Sequence, residues 1–164
     1  MTHTMRRKRQ TLVPDVCTDI LTHASAGVLA LADQSGQPYA VPLSYVYVNG
    51  TLYFHSAKAG YKLDLIRENP RASFCVIADD HIVPERFTTY YRSVIACGTV
   101  QLVNDDDEAR RAITLLGRKY APNESQAALK QEIDSAWPAL TILAMHVDTL
   151  TGKEALELAK AKEE

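Results

Sequence analysis

The dipeptide Asn49-Gly50, placed between two runs of alternating apolar residues, constrains this chain more than anything else in it. Both positions accept the left-handed backbone that a two-residue hairpin turn demands, so residues 39–48 and 51–56 are expected as antiparallel neighbours. The chain also lacks the regular strand–helix alternation of a parallel sheet. The expected class is therefore mainly β with added helices.

The second of these strands runs into Tyr53-Phe54-His55-Ser56-Ala57-Lys58-Ala59-Gly60-Tyr61-Lys62-Leu63-Asp64-Leu65. That stretch reads as a strand end, a turn of small residues eased by Gly60, and the first turn of a helix. The first amides of a helix have no internal partner and carry partial positive charge, so they favour an anion. A hydroxyl (Ser56), an imidazole (His55) and an ammonium (Lys62) close to such an end would suit a phosphate monoester. The same spacing equally suits an ordinary strand-to-helix connection with a solvated lysine.

Around this stretch the pattern predicts a helix over 13–24, opened by Pro14, and a strand over 28–32. Pro42 interrupts the strand 39–48, which marks an edge, a bulge or a place where the backbone faces something other than a strand. The helix over 61–68 stops at Asn69-Pro70, because a residue before proline avoids helical backbone. A strand follows over 71–78, a polar loop over 79–87, and a long strand over 88–103 that needs a bend, placed at Gly98. One face of that strand is apolar except for Arg92, a charge that needs either a partner or an exit to water. Acidic residues then open a helix near residue 104, with Ala109, Ala112, Ile113, Leu116 and Tyr120 as its buried stripe; a weaker helix covers 124–135, and a last strand covers 140–150 before a turn at 151–154. About six strands with peripheral helices predict an antiparallel barrel in one domain, 13–152, between an N-terminal arm, 1–12, and a helical tail, 153–164.

Composition removes several function classes. A net charge of −2 gives no general attraction to nucleic acid, and no apolar stretch approaches the ~18 residues of a membrane span. The basic run Arg6-Arg7-Lys8-Arg9 has no apolar segment behind it, so no secretory signal is expected. Cys17, Cys75 and Cys97 are odd in number and scattered, which suits a reducing cytoplasm better than a disulfide framework. No paired-cysteine or histidine spacing suggests zinc, and no glycine-rich nucleotide loop or nucleophile elbow is present.

Several pieces in a fixed order remain: Met5-Arg6-Arg7, Pro42-Leu43-Ser44-Tyr45, Tyr53-Phe54-His55-Ser56-Ala57, Gly60-Tyr61-Lys62-Leu63-Asp64-Leu65-Ile66 with Asn69-Pro70, Tyr90-Tyr91-Arg92-Ser93-Val94 with Gly98, and Thr151-Gly152-Lys153-Glu154. Together they resemble the pyridoxamine 5′-phosphate oxidase-like FMN-binding split barrels, in the branch of the nitroimidazole-resistance (Nim) proteins. The resemblance implies a homodimeric split barrel with FMN at the dimer interface. It implies that Val41, Pro42, Leu43 and Ser44 line the flavin ring through backbone groups. His55, Ser56, Ala57 and Lys62 would surround the phosphate or the ring edge, and Arg92 and Ser93 would add phosphate or ring contacts, from the same or the neighbouring subunit. Hydride or electron transfer would belong to the flavin, with His55 as the catalytic residue, a substrate-facing or proton-donating group. A small-molecule substrate and a nicotinamide electron donor would complete the reaction. The C-terminal substrate pattern of true pyridoxamine phosphate oxidases is missing, so vitamin B6 oxidation is not implied.

Two other functions fit the same barrel. One is haem binding, for which His55, His81 or His146 could supply an axial ligand, without a supporting motif. The other is a flavin-binding module that performs no turnover.

Overall fold

The computed structural model describes residues 5–161. Asn49 and Gly50 take φ values of 47° and 82°. They join β3 (Val46–Val48) to β4 (Thr51–Ala57) in the expected antiparallel hairpin. The other strands are β1 (Ala26–Ala32), β2 (Pro38–Ser44), β5 (Arg71–Val83), β6 (Thr88–Leu102) and β7 (Leu140–Glu154). Among the described residues these seven form one antiparallel sheet in the order β2-β1-β5-β6-β7-β4-β3.

The two edge strands of that sheet, β2 and β3, follow one another in the chain with only Tyr45 between them. The sheet must therefore roll until its edges meet at a single residue, which makes a split barrel. The rolled interior is filled by alternate residues of each strand. Leu29, Phe54, Phe74, Val76, Val94 and Met145 are fully buried, each worth about 1.5–3 kcal/mol of burial. Tyr45 and Phe54 both meet the ring of Phe74 edge-on, at 4.8 Å and 5.1 Å between centroids. Helix α1 (Pro14–His23) covers one end through Cys17, Ile20 and Leu21. Helix α3 (Asp106–Tyr120) packs Ala109 and Ala112 on Ile142, outside β4 and β7.

The opposite outer face is open. The ladder sets Pro42, Val28, Cys75, Ile95 and Thr151 side by side across five strands. Their neighbours two residues along are Ala40, Ala30, Ser73, Cys97 and Thr149. None of these carries a charge.

Four features differ from the sequence expectation. The strand 39–48 breaks at Tyr45 rather than at Pro42, which is tolerated because β2 is an edge and Pro42 pairs with Val28 there. That division makes seven strands instead of six. Residues 79–83, expected as loop, extend β5 and pair with residues 88–92 at the expected start of β6, after a register slip that leaves Ala78 unpaired. Strand β7 continues through residues 151–154, which pair with Ile95 to Arg92, instead of turning. The bend in β6 lies at Gly98 as expected, with the register shifting between Cys97 and Gly98.

The expected N-terminal arm and C-terminal tail lie partly outside the described residues, at 1–4 and 162–164. The described part of the arm is bound to the barrel. Leu12 is buried, and Gln10 Nε2 donates to the Glu154 carbonyl at 2.9 Å. Among the described residues no helix is long and apolar enough to cross a membrane.

Candidate functional site

Strand β4 ends in the stretch that the sequence singles out. Alternation turns Phe54 and Ser56 inward and leaves His55 and Ala57 outside. Ser56 is 5% exposed, and its Oγ has no hydrogen-bond partner among the described residues. The chain then turns through Gly60, whose φ of 138° disfavours any residue with a Cβ. It enters α2 (Tyr61–Glu68), where no side chain caps the first turn. Leu63, Leu65 and Ile66 are buried and hold this helix against the core. The Lys62 side chain thus begins in a half-buried first turn of fixed position. Tyr61 meets Tyr39 edge-on at 5.1 Å, which ties this helix end to the start of β2.

Along β2, Val41 and Leu43 turn toward the core while Pro42 and Ser44 face outward. Ser44 and His55 come together in a cleft of about 440 Å³ between the barrel and helices α3 and α4 (Gln126–Ala136). Its walls are mainly apolar, with Ile113, Leu116, Leu129 and Ile133 among them. Glu132 and His55 supply its charge-bearing groups, and Tyr120 closes one side.

Tyr120 does more than line the cleft. Its hydroxyl accepts from the Tyr45 amide at 2.8 Å and lies 2.5 Å from the Ser25 carbonyl and 3.0 Å from the Tyr45 carbonyl. One phenol therefore serves both backbone groups of the residue where β2 passes into β3. Beside it, Lys119 Nζ donates to the Ala24 carbonyl at 2.7 Å and sits 4.1 Å over the Tyr45 ring. Burial holds this ammonium's pKa below the ordinary lysine value. Burial, and then the neighbouring Tyr120, raise that of the enclosed Tyr45 phenol.

The remaining candidates lie elsewhere. Arg92 and Ser93 are on β6, separated from β2 by β5 and β1. The Arg92 guanidinium bonds Asp79 at 3.1 Å and the buried Glu154 at 3.2 Å, so the charge on that strand face has its partners. Arg92 borders a second cleft, of about 600 Å³, along α1. Ser93 pairs with Ile77 and Lys153 on the outer side. The structure thus places Val41, Pro42, Leu43 and Ser44 on β2, His55, Ser56 and Ala57 on β4 and Lys62 on α2, brings Ser44 and His55 into one cleft, and sets Arg92 and Ser93 apart from it. Trp137 stacks under Arg110 at 4.2 Å and packs with the α3 cluster. Among the described residues no group of acidic, histidine and cysteine side chains is arranged to hold a metal.

Sequence reasoning missed Tyr120, which reads there as one more residue of the buried stripe of α3. It also missed the buried pair Gln10 and Glu154, for which no local pattern gives a signal.

The family model described as pyridoxamine 5′-phosphate oxidase matches residues 14–154, which include every element from α1 to β7. No curated protein matches the chain significantly. Among solved structures, one from Bacteroides thetaiotaomicron, provisionally described as a 5-nitroimidazole antibiotic resistance protein, is 25% identical with a TM-score of 0.71. That match covers 88% of this chain and 86% of the other. An FAD-binding protein from Mesorhizobium loti is 28% identical with a TM-score of 0.62, covering 89% and 97%. An FAD- and haem-binding protein from Mycobacterium smegmatis shares the fold at 19% identity and a TM-score of 0.68, covering 95% and 80%.

Proposed function

The chain belongs to the pyridoxamine 5′-phosphate oxidase family, and on that premise we propose that it binds FMN and acts as a small flavin-dependent oxidoreductase. The observation that carries this reading is the buried Ser56 hydroxyl without a partner, one short turn before an uncapped helix end bearing Lys62. A buried hydroxyl in that state favours an acceptor, and a phosphate at a helix N-terminus is the kind of acceptor the local dipole favours. The residues present therefore fit a flavin monophosphate. The description of the Mesorhizobium loti structure as FAD-binding supports the flavin class.

Bound there, the flavin would supply hydride or electron transfer. The chain's own residues would do the rest. Lys62, Ser56 and Ala57 would hold the phosphate end. The backbone of Val41, Pro42, Leu43 and Ser44 would flank the ring, fixed from behind by the Tyr120 hydroxyl. His55 would face the substrate across the apolar cleft and exchange a proton at a ring nitrogen, while the apolar walls limit water.

The same reading takes the two uncharged rows of the outer face, Pro42 to Thr151 and Ala40 to Thr149, as the centre of a homodimer contact. Rows with no charge meet their own copy without like-charge repulsion. Arg92 and Ser93 would then reach the neighbouring subunit's flavin. A nicotinamide donor, a small-molecule acceptor and a cytoplasmic location complete the proposal. The location is supported by the scattered free cysteines.

The visible spectrum of the purified protein, with the released chromophore identified by mass, tests the cofactor. Two flavin bands and released FMN are expected. A haem band, or a colourless protein that refuses added FMN, refutes the reading. Lys62→Ala should weaken FMN binding by about tenfold or more, the effect of losing one charge-assisted contact. His55→Ala should lower turnover while leaving flavin bound; loss of flavin instead would make His55 a cofactor ligand.

A further inference from the structure

Helices α3 and α4 each turn one face to the cleft that holds Ser44 and His55. Ile113, Leu116, Gly117 and Tyr120 lie at helical spacing on α3, one above the other. Leu129, Glu132, Ile133 and Ala136 repeat that spacing on α4. The two stripes touch at Gly117, where an added Cβ would stand 2.3 Å from Leu129 Cδ1. Close helix contact therefore builds this wall of the cleft. Along both stripes, Glu132 alone carries a charge.

An acid on the inward stripe of an amphipathic helix stands where packing ordinarily puts an apolar residue. The usual reason for one, an ion pair, is missing. Lys130 and Asp134 on the same helix are committed to each other and to Arg110. Among the described residues no ion pair includes Glu132, and no lysine or arginine lines the cleft. Glu132 is exposed, so water satisfies its carboxylate while the cleft is empty. A ligand filling the cleft changes that balance. An anion would meet a like charge, and a neutral molecule would strip water from the carboxylate without replacing it. A cation would replace it. The cleft, at about 440 Å³, is of the size that small-molecule sites take.

We propose that this cleft takes apolar organic monocations, an aromatic or aliphatic body bearing one charged amine, and that Glu132 is the residue selecting the charge. The inference rests on reading the cleft as the substrate side of a flavin protein and adds the class of molecule. The apolar body would lie between the barrel wall, with His55 and Ser44, and the two helix stripes. Glu132 acts here on specificity, through the difference it makes between ligands of one shape and different charge.

Titration calorimetry of the full chain, stripped and with added FMN, tests it with three probes of matched shape: phenylbutylammonium, phenylbutanol and phenylbutyrate. At about pH 8 the amine and the carboxylates are all charged. The ammonium probe is expected to bind at least about fivefold tighter than the alcohol, with butyrate the weakest. Glu132→Gln should bring the ammonium and alcohol constants within about twofold of each other. Its urea midpoint should stay unchanged, because Glu132 has no ion pair to lose within the chain. Glu132→Lys should reverse the order in favour of butyrate. Asp15→Asn, an equal change of net charge on α1 and outside the cleft, should keep the preference. A wild type that binds the three probes alike, or binds none, overturns the proposal, as does a Glu132→Gln variant that keeps the preference. FMN uptake is read separately by flavin fluorescence. Cation preference in a chain that takes up no FMN refutes the flavin reading and leaves the charge selection standing, whereas FMN uptake without that preference refutes the charge selection alone.

Discussion

Ser56→Ala should produce two effects of opposite sign. In the flavin-free chain the Ser56 Oγ is buried without a partner among the described residues. An unpaired buried hydroxyl costs about 1–3 kcal/mol, and removing one oxygen returns part of that as lost packing. The variant should therefore be more stable by about 1 kcal/mol. In urea this raises the midpoint by about 0.5 M with an unchanged slope, and a thermal midpoint for a domain of this size rises by about 2–4 °C. In the loaded protein the hydroxyl would donate to phosphate, a charge-assisted bond worth about 1.5–3 kcal/mol, so the FMN dissociation constant should rise by about 10- to 150-fold. Urea unfolding of the stripped protein and flavin fluorescence titration read the two arms separately. A less stable stripped variant would show that the hydroxyl already had a partner. An unchanged dissociation constant would remove Ser56 from the phosphate site. The double variant with Lys62→Ala should lose less affinity than the two single losses combined, because both groups act on one anion.

Tyr120→Phe leaves the buried Tyr45 amide without its acceptor, and should destabilise the protein by about 1–3 kcal/mol in urea unfolding; a change within error would mean that water replaces the phenol. Gly98→Ala would drive a methyl group into the backbone carbonyl of His146. Because backbone cannot step aside like a side chain, a loss of about 3 kcal/mol or more, or failure to fold, is expected, and a wild-type unfolding curve would refute the register at the bend. Tyr45→Phe addresses pH. Burial raises the phenol's pKa in the folded chain, so its contribution is complete below the unfolded value near ~10 and is lost as pH rises beyond it. The variant should therefore lose less stability than wild type above about pH 10, and equal slopes would place the alkaline loss in other groups.

What the sequence reveals here is what one or two adjacent residues decide. Asn49-Gly50, Gly60 and Asn69-Pro70 act through their own backbone, so the hairpin, the turn into α2 and the end of that helix all lie where the pattern places them. His55, Ser56 and Lys62 are legible for the same reason, since one continuous stretch carries them. The break at Tyr45 is not local. It exists because the sheet's two edges meet there, and the phenol that serves its backbone comes from 75 residues away. In the sequence Tyr120 sits four residues after Leu116 and reads as stripe, yet in the fold it is 41% exposed with its hydroxyl engaged. Arg92 announces that it needs partners, but Asp79 and Glu154 lie 13 and 62 residues from it and only the ladder brings them near. The extension of β5 stayed hidden because Asp79, Asp80 and His81 break the apolar alternation that marks a strand. The candidate site divides along the same line. The end proposed to hold the anion lies in one segment, whereas the cleft that would select a substrate is assembled from β2, β4, α3 and α4. Exchanges within 53–65 should therefore change flavin affinity, while substrate preference should follow residues on α3 and α4, whose sequence carries no motif at all.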